Sequence, residues 1–244
     1  MARRRADLLV VEQGLADSRT RAQALILAGA ILAGEGERVD KAGQLLDETT
    51  QLRLRGQPLP YVSRGGLKLQ AALDEFAIDP EGEVCLDVGA SSGGFTDCLL
   101  QRGARRVYGV DVGYGQMAWK VRSDPRVVVI ERCNMRTIAP EAIPEECGIV
   151  VLDVSFISLK LVVPKALSFA ATGARVVALV KPQFEVGPAL VGKGGVVRDP
   201  AAREDALGNI TDAFSQWGGR IIGSIESPIR GAKGNVEFLL AATF

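Results

Sequence analysis

The hydrophobic positions of residues 63–244 fall into short apolar runs that alternate with helical patterns. Near-continuous apolar runs are typical of parallel strands whose two faces are both covered. Strands that alternate with helices indicate an α/β fold with an open, doubly wound and mostly parallel sheet. The predicted strands span residues 84–88, 106–112, 127–130, 149–154, 175–180, 220–225 and 236–241.

The first 57 residues have a different pattern, which predicts a small α+β domain with two helices and several short extended pieces. Ser18 is placed to cap the second helix, and Gly29 is placed to end it. Leu8, Val11 and Leu15 share one face of the first helix, and Ala22, Leu25 and Ile26 of the second helix are expected to face inward. Residues 58–62 contain two prolines, so they form a predicted linker to a second domain at 63–244.

Composition excludes several classes of chemistry. Lys plus Arg and Asp plus Glu both number 29, and 47% of the residues are hydrophobic, so the chain is neutral and can form a substantial core. Histidine is absent, which excludes imidazole bases and the Ser-His-Asp and Cys-His nucleophile systems. The four cysteines (Cys85, Cys98, Cys133 and Cys147) form no CxxC pair, so we expect reduced, mostly buried thiols and no metal site. No apolar stretch approaches the ~18 residues of a membrane span and no signal-peptide pattern opens the chain, so a cytoplasmic protein is expected.

A glycine-rich turn follows the first strand of the predicted sheet, in Val-Gly-Ala-Ser-Ser-Gly-Gly-Phe at 88–95. Its spacing differs from the G-x-G-x-x-G pattern of dinucleotide folds, and no P-loop lysine follows it. Asp111 ends the next strand, where a carboxylate can accept hydrogen bonds from both ribose hydroxyls of an adenosyl group. This arrangement fits a ligand with an amino-acid end, S-adenosylmethionine; the alternative is a tight turn that binds nothing.

Four charged side chains occur where this topology would bring them to one edge of the sheet. Asp153 and Lys181 follow the fourth and fifth strands, and Lys68 lies early in a helix. Glu237 lies near the start of the last strand, which reaches the same edge if it runs antiparallel to the others. Each charge alone could be a solvated strand end. Because the chain has no histidine, Lys181 is the candidate base for activating a hydroxyl nucleophile.

Five ordered sequence blocks make the pattern more specific. They are Ser-Arg-Gly-Gly-Leu-Lys-Leu at 63–69, Leu-Asp-Val-Gly-Ala-Ser-Ser-Gly-Gly-Phe-Thr-Asp at 86–97, Val-Ser-Phe-Ile-Ser-Leu at 154–159, Lys-Pro-Gln-Phe-Glu-Val-Gly at 181–187 and Gly-Asn-Val-Glu-Phe-Leu at 234–239. These blocks resemble the TlyA family, bacterial ribosomal-RNA ribose methyltransferases that are often labelled haemolysins. The resemblance implies an S4-type RNA-binding domain at 1–57. It also implies an FtsJ-like, Rossmann-like S-adenosylmethionine methyltransferase at 63–244, with a seven-stranded sheet whose last strand is antiparallel.

The resemblance also implies roles for individual residues. The family's Lys-Asp-Lys-Glu tetrad falls on Lys68, Asp153, Lys181 and Glu237, while Asn134 stands where FtsJ-like enzymes often carry Asp. The expected cofactor contacts are Asp87, Gly89, Ser91, Gly93, Gly94, Phe95, Asp111, Val112, Asn134 and Asp153.

The expected RNA contacts are Arg3, Arg4, Arg5, Arg19, Arg21, Lys41, Arg64, Lys193, Arg230 and Lys233. Arg19 and Arg21 fall in the first turn of a predicted helix, where cations oppose the helix dipole. This placement favours a phosphate clamp, formed by guanidinium groups and backbone amides, over a solvated helix face. For the residues in the loops at 187–200 and 227–234, an ordinary surface loop is the alternative.

The expected function is S-adenosylmethionine-dependent 2′-O-methylation of a cytidine in ribosomal RNA, with ribosomal RNA or the large subunit as partner. Few residues follow Glu237, and this favours the shorter group of the family, hence 23S rRNA and no methylation of 16S rRNA. The alternatives are a non-enzymatic RNA-binding or assembly factor and a pore-forming haemolysin.

Overall fold

The computed structural model describes residues 3–34, 37–55 and 59–244. The chain forms two compact units, Met1–Leu59 and Pro60–Phe244. The division falls inside the predicted linker at 58–62. Pro58 and the predicted end of the first domain at residue 57 lie outside the described residues.

The first unit combines two helices with short antiparallel strands. Its elements are β1 (Arg3–Arg5), α1 (Ala6–Glu12), α2 (Arg19–Leu27), β2 (Ile31–Ala33), β3 (Glu37–Arg38), β4 (Leu45–Asp47) and β5 (Leu52–Leu54). Strand β1 pairs with β4, and β2 lies between β3 and β5. Helix α2 begins and ends as expected, because the Ser18 hydroxyl accepts a hydrogen bond from the Arg21 amide at 3.2 Å and Gly29 has a φ of +68°.

The most deeply buried face of α1 is not the one that carries Leu8, Val11 and Leu15. The buried apolar side chains are Ala6, Leu9 and Val10, whereas Leu8, Val11 and Leu15 are only half-buried. Both sets have helical spacing, so hydrophobicity alone does not decide between them. In α2 the prediction is confirmed for Ala22 and Ile26, while Leu25 is half-buried.

A fully buried carboxylate, Asp7, decides which face of α1 points inward. It accepts two hydrogen bonds from Arg5 at 3.0 Å, one from Arg19 at 3.0 Å and one from Gln23 at 2.9 Å. Hydrogen bonds from Arg5, together with those from Gln23 and Arg19, hold the pKa of Asp7 well below its usual range, although burial opposes the shift. A buried carboxylate is tolerated only with such partners, so α1 turns Asp7 toward them. Asp7 thereby links β1, α1 and α2.

The second unit is built on a seven-stranded sheet in the order β11-β12-β10-β9-β6-β7-β8. The strands are β6 (Val84–Val88), β7 (Arg106–Val110), β8 (Val127–Ile130), β9 (Cys147–Leu152), β10 (Ala170–Val180), β11 (Arg220–Glu226) and β12 (Phe238–Thr243). Neighbours from β10 through β8 are parallel, and β12 is antiparallel to β10 and β11. The predicted mostly parallel sheet with an antiparallel last strand is confirmed.

Helices cover both faces of this sheet. They are α3 (Gly65–Glu75), α4 (Gly94–Gln101), α5 (Trp119–Arg122), α6 (Leu159–Leu167), α7 (Pro182–Glu185) and α8 (Pro200–Gln216), with 3₁₀ turns at Met135–Thr137, Pro140–Ala142, Pro188–Leu190 and Ala232–Gly234. Along β9, Val150 and Leu152 join one apolar core, while Ile149 and Val151 join the other. This alternation explains why the strand is apolar at every position.

Several strand ends differ from the prediction. Strand β7 stops at Val110 and β9 at Leu152, both earlier than expected, and β12 begins at Phe238, later than expected. Strand β10 ends at Val180, as expected. As a result Asp111, Asp153 and Lys181 each come directly after a strand, and Glu237 comes directly before one.

The cysteines are free, as expected. Cys85, Cys98 and Cys147 are buried and Cys133 is half-buried. Burial raises the pKa of the Cys85, Cys98 and Cys147 thiols, so they stay protonated. Among the described residues, no helix is both long and apolar enough to span a bilayer.

Candidate active site

The glycine-rich turn after β6 is shaped by close backbone contacts. Gly89 has a φ of +85°, and a Cβ there would collide with the main-chain carbonyl of Asp153. Gly93 has a φ of +88° and precedes α4, and a Cβ on Gly94 would collide with the Ser63 hydroxyl. A side chain at any of these positions would push the turn away from its neighbours. The turn is therefore pressed between the segment that follows β9 and the start of α3.

Asp111 holds the open side of this turn. One of its carboxylate oxygens accepts a hydrogen bond from the Ser91 amide at 2.8 Å, and the other accepts one from the Gly113 amide at 2.6 Å. Ser91 also donates its hydroxyl to Gln116 at 3.2 Å. A mostly apolar cavity of about 450 Å³ lies beside this arrangement, and its lining includes Asp111, Val112, Gln116, Asn134, Met135 and Val162. We call it the Asp111 cavity.

The four charged residues singled out in the sequence form two ion pairs around a second cavity. Lys68 Nζ lies 2.5 Å from Glu237 Oε2, and Lys181 Nζ lies 2.6 Å from Asp153 Oδ1. Lys181 also donates a hydrogen bond to the Ser155 hydroxyl at 2.8 Å. All four line a cavity of about 350 Å³, which we call the tetrad cavity. Lys181 and Glu237 are only 8% and 3% exposed, so these charges are largely removed from solvent.

The two cavities share part of their wall. Gly89, Ser91, Asp153, Ser155 and Phe156 line both. A group held in the Asp111 cavity therefore faces a group held in the tetrad cavity across Asp153. Such an arrangement can bring two reactants together next to a lysine that is hydrogen-bonded and paired with a carboxylate.

An aromatic pair that was not predicted from the sequence lies at this shared wall. Phe156 is 91% exposed, and its ring contacts that of Phe184 in a tilted arrangement, with centroids 5.2 Å apart and planes inclined by 51°. Its φ of +64° is a left-handed backbone conformation, which costs a non-glycine residue roughly 1–2 kcal/mol. The available sequence signal was an aromatic residue in the short segment between a strand and the next helix, within the block at 154–159. Ser155 and Gln183, which also line the tetrad cavity, were missed as well.

Most of the expected cofactor contacts line a cavity, but Asp87 and Gly93 do not. Gly89, Ser91, Gly94, Phe95 and Asp153 line the tetrad cavity, and Asp111, Val112 and Asn134 line the Asp111 cavity. Asp87 is fully buried on the same face of β6 as Cys85. A role for Asp87 in cofactor binding stays a prediction.

Asp87 is an unusual buried carboxyl. One of its oxygens accepts the Thr96 hydroxyl at 2.6 Å, and the other has no hydrogen-bond partner among the described residues. Burial raises the pKa of Asp87 to about 7, and the nearby Asp153 adds to this shift, although the Thr96 hydrogen bond opposes it.

The expected RNA contacts occur in both units. Arg64 and Arg230 line the tetrad cavity, and Lys193 and Lys233 are exposed on nearby loops of the second unit. In the first unit, Arg3, Arg4, Arg19, Arg21 and Lys41 are exposed and Arg5 is half-buried. Arg5 and Arg19 bind Asp7, and Arg4 lies 3.1 Å from Glu12, so these three arginines also hold the unit together.

Comparison with known proteins identifies the family. The model of FtsJ-like methyltransferases matches residues 61–244. TlyA of Mycobacterium tuberculosis, named as a 16S/23S rRNA (cytidine-2′-O)-methyltransferase, is 47% identical over 98% of this chain and 90% of its own length. The chain belongs to the TlyA family of FtsJ-like methyltransferases. The resemblance inferred from the sequence blocks is confirmed, and the two cavities belong to a methyltransferase.

Other relatives are consistent with this assignment. TlyA of Campylobacter jejuni, named as a 23S rRNA (cytidine-2′-O)-methyltransferase, is 35% identical over 73% of this chain and 69% of its own length. A solved structure from Streptococcus thermophilus, named as a hemolysin, has a TM-score of 0.76 and 43% identity, covering 100% of this chain and 89% of that one. A structure from Listeria monocytogenes, named as an S-adenosylmethionine-dependent methyltransferase, has a TM-score of 0.54 at 16% identity, over 74% of this chain and 99% of that one. This last likeness shows the fold alone.

The raised pKa of Asp87 predicts a pH-dependent stability. Its folded value of about 7 exceeds an unfolded value of about 3.9, so the folded protein binds more protons between these pH values and loses stability as the pH rises through them. Asparagine is neutral at every pH. We therefore expect Asp87→Asn to gain stability relative to the wild type between about pH 5 and about pH 8.

Urea unfolding followed by tryptophan fluorescence measures this difference, because Trp119 and Trp217 both belong to the second unit. The exposed Asp205→Asn is the matched control. A difference between Asp87→Asn and wild type that stays constant with pH would contradict the raised pKa.

Proposed function

We propose that this methyltransferase transfers the methyl group of S-adenosylmethionine to the 2′-hydroxyl of a cytidine in 23S ribosomal RNA. The observation that carries the proposal is the shared wall of the two cavities, with Lys181 and Asp153 beside it. Both named relatives act on a cytidine 2′-oxygen, and 23S rRNA is common to their names. Absence of a 16S product stays a prediction, because the Mycobacterium relative is named for both rRNAs.

The residues around the Asp111 cavity fit an S-adenosylmethionine cofactor. Asp111 uses its two oxygens on backbone amides, and a carboxylate retains further lone pairs that can accept from two ribose hydroxyls. Met135 and Val162 provide an apolar wall suited to an adenine ring, and the Asn134 amide lies on the same lining. The glycines of the turn leave room for the amino-acid end. When bound, the cofactor supplies an electrophilic methyl group.

Lys181 is the residue best placed to take the proton of an attacking hydroxyl. Its amine lines the tetrad cavity, and its contacts with Asp153 and Ser155 fix where the nitrogen points. Glu237 holds Lys68 in the same way on the other side of the cavity. With no histidine in the chain, the lysines are the candidates for this role. As ammonium groups they can orient an incoming ribose, and Lys181 can accept the hydroxyl proton when its amine is neutral.

RNA binding is attributed to basic residues in both units. Arg64 and Arg230 lie at the tetrad cavity, where they can contact the phosphates that flank a target ribose. In the first unit, Arg21 lies in the first turn of α2, where backbone amides also point outward. Because Arg5 and Arg19 also bind Asp7, the exposed Arg3, Arg21 and Lys41 are the residues whose replacement reports on RNA binding alone.

Asp111→Ala tests the cofactor site. Loss of a charged acceptor for two ribose hydroxyls should weaken S-adenosylmethionine binding by about 1–3 kcal/mol. Isothermal titration calorimetry measures the affinity, with the exposed Asp205→Ala as the matched control. Unchanged affinity in Asp111→Ala would mean that the adenosyl group binds elsewhere.

Lys181→Arg tests the base. Arginine keeps the positive charge beside Asp153 but does not release its proton near neutral pH, so kcat should fall by about 10²- to 10⁴-fold while cofactor affinity is kept. Transfer from radiolabelled S-adenosylmethionine to ribosomes gives kcat, and calorimetry gives the affinity. The control is Lys160→Arg, an exposed lysine on α6. Substantial turnover by Lys181→Arg would exclude Lys181 as the base.

The target is tested by mapping ribose methylation on both rRNAs after reaction with the pure protein. Primer extension at limiting nucleotide concentration should stop at a cytidine of 23S rRNA and at no position of 16S rRNA. Free large subunits are the preferred substrate, because RNA of this kind is recognised largely by shape and backbone. A stop in 16S rRNA would contradict the predicted restriction to 23S rRNA. Stops in neither rRNA, with cofactor binding intact, would favour a non-enzymatic RNA-binding factor.

A further inference from the structure

A carboxylate outside the tetrad joins the two segments that carry Asp153 and Lys181. Glu185 lies at the end of α7, which begins directly after Lys181. One of its oxygens accepts the Ser158 hydroxyl at 2.5 Å, and the other accepts the Leu159 amide at 2.9 Å. Burial raises the pKa of Glu185, and these hydrogen bonds oppose the shift.

Ser158 and Leu159 form the beginning of α6, which follows the loop carrying Ser155 and Phe156. We call residues 153–159 and 181–185 the paired segments. They are joined at one end by Lys181, which contacts Asp153 and Ser155, and at the other end by Glu185. Between these ends, the ring of Phe184 contacts that of Phe156.

We propose that Glu185 is a positioning residue for methyl transfer, which holds Ser155 and Phe156 in place beside Lys181. The inference rests on the proposed function, because it names what orients the candidate base. Glu185 does not line either cavity, so it acts through the paired segments and does not touch the reactants.

The contact needs a side chain with acceptor atoms at residue 185. The Ser158 hydroxyl and the Leu159 amide each donate to one oxygen of Glu185, and the Leu159 amide is one of the donors that the first turn of α6 leaves without a partner inside the helix. Alanine removes both acceptors. Glutamine would keep both contacts, because a serine hydroxyl can also accept a hydrogen bond from the glutamine NH₂ group. Without the contact from Glu185, only the hydrogen bond between Lys181 and Ser155 holds the loop next to Phe156. The left-handed backbone of Phe156 can then relax to a more favourable conformation. Ser155 would then move relative to Lys181.

Glu185→Ala should therefore lower kcat by about tenfold or more, because small misplacements of reacting groups are costly. The affinity and the 1:1 stoichiometry for S-adenosylmethionine should be unchanged by calorimetry, and so should the KM for ribosomal RNA. An unchanged stoichiometry excludes a loss of folded protein, because unfolded protein would lower the stoichiometry and kcat together. The matched control is Glu204→Ala, at an exposed glutamate on α8, which should keep the wild-type kcat.

Ser158→Ala supplies the second half of the experiment, because it removes one donor of the same contact from the opposite segment. If Glu185 acts through this contact, Ser158→Ala also lowers kcat, and the double variant is less impaired than the product of the two single effects. Multiplicative effects in the double variant would overturn the inference, since Glu185 would then act elsewhere.

Hydrogen exchange distinguishes a failure of this inference from a failure of the proposed function, because it requires no RNA. The amides of residues 155–160 should exchange faster in Glu185→Ala than in the wild type, and at the wild-type rate in Glu204→Ala. If the wild type transfers no methyl group to rRNA, the proposed function fails. Wild-type exchange in Glu185→Ala would overturn the positioning role separately. Faster exchange together with a wild-type kcat would also overturn the positioning role, because the contact made by Glu185 would then not affect methyl transfer.

Discussion

The arrangement of the active site depends on two lysines that are largely removed from water and are each held by a carboxylate. Lys68 pairs with Glu237 and Lys181 pairs with Asp153, so the tetrad contains equal numbers of positive and negative groups. A buried charge without a partner is expensive, and removing one member of such a pair leaves the other uncompensated. Each pair also joins distant parts of the chain: the first links α3 to the start of β12, and the second links the ends of β9 and β10. The same contacts thus satisfy the buried charges and align the sheet edge at which the two cavities meet.

The sheet and the tetrad could be predicted from the sequence because both follow from short-range signals plus topology. Apolar runs identified the parallel strands, and the ends of adjacent parallel strands necessarily share an edge. Glu237 required one further assumption, an antiparallel last strand, which the structure bears out. The sequence was less informative where two faces of one element were equally apolar. Helix α1 has two faces of suitable spacing, and the choice depends on Asp7, whose partners Arg19 and Gln23 belong to another helix. The burial of Asp87 is a related case, because its short distance from the glycines along the chain does not reveal that it lines neither cavity.

A net charge of zero does not exclude a nucleic-acid-binding function, because binding depends on where charges lie. In the first unit, arginines are concentrated in β1 and at the beginning of α2, and two of them form ion pairs with Asp7. Arg5 and Arg19 thus have a structural role that a count of basic residues does not reveal. A guanidinium group has five donors, and a single carboxylate engages only some of them. Arg19 remains 53% exposed at its side chain, so the contact with Asp7 can orient it while leaving donors for a phosphate.

Phe156 shows how the fold holds an unfavourable local arrangement in place. Its ring is almost fully exposed and its backbone is left-handed, so neither hydrophobic burial nor backbone preference accounts for its conformation. The compensation comes from its neighbours: Ser155 is held by Lys181, Ser158 by Glu185, and the ring itself rests on Phe184. Under the proposed function, this exposed aromatic face at the wall between the two cavities would offer a stacking surface for the nucleobase of a ribose held in the tetrad cavity. The surrounding contacts fix this surface within the protein itself, so RNA binding would not have to supply the free energy of ordering it. More of the binding free energy would then be available for unstacking the target base.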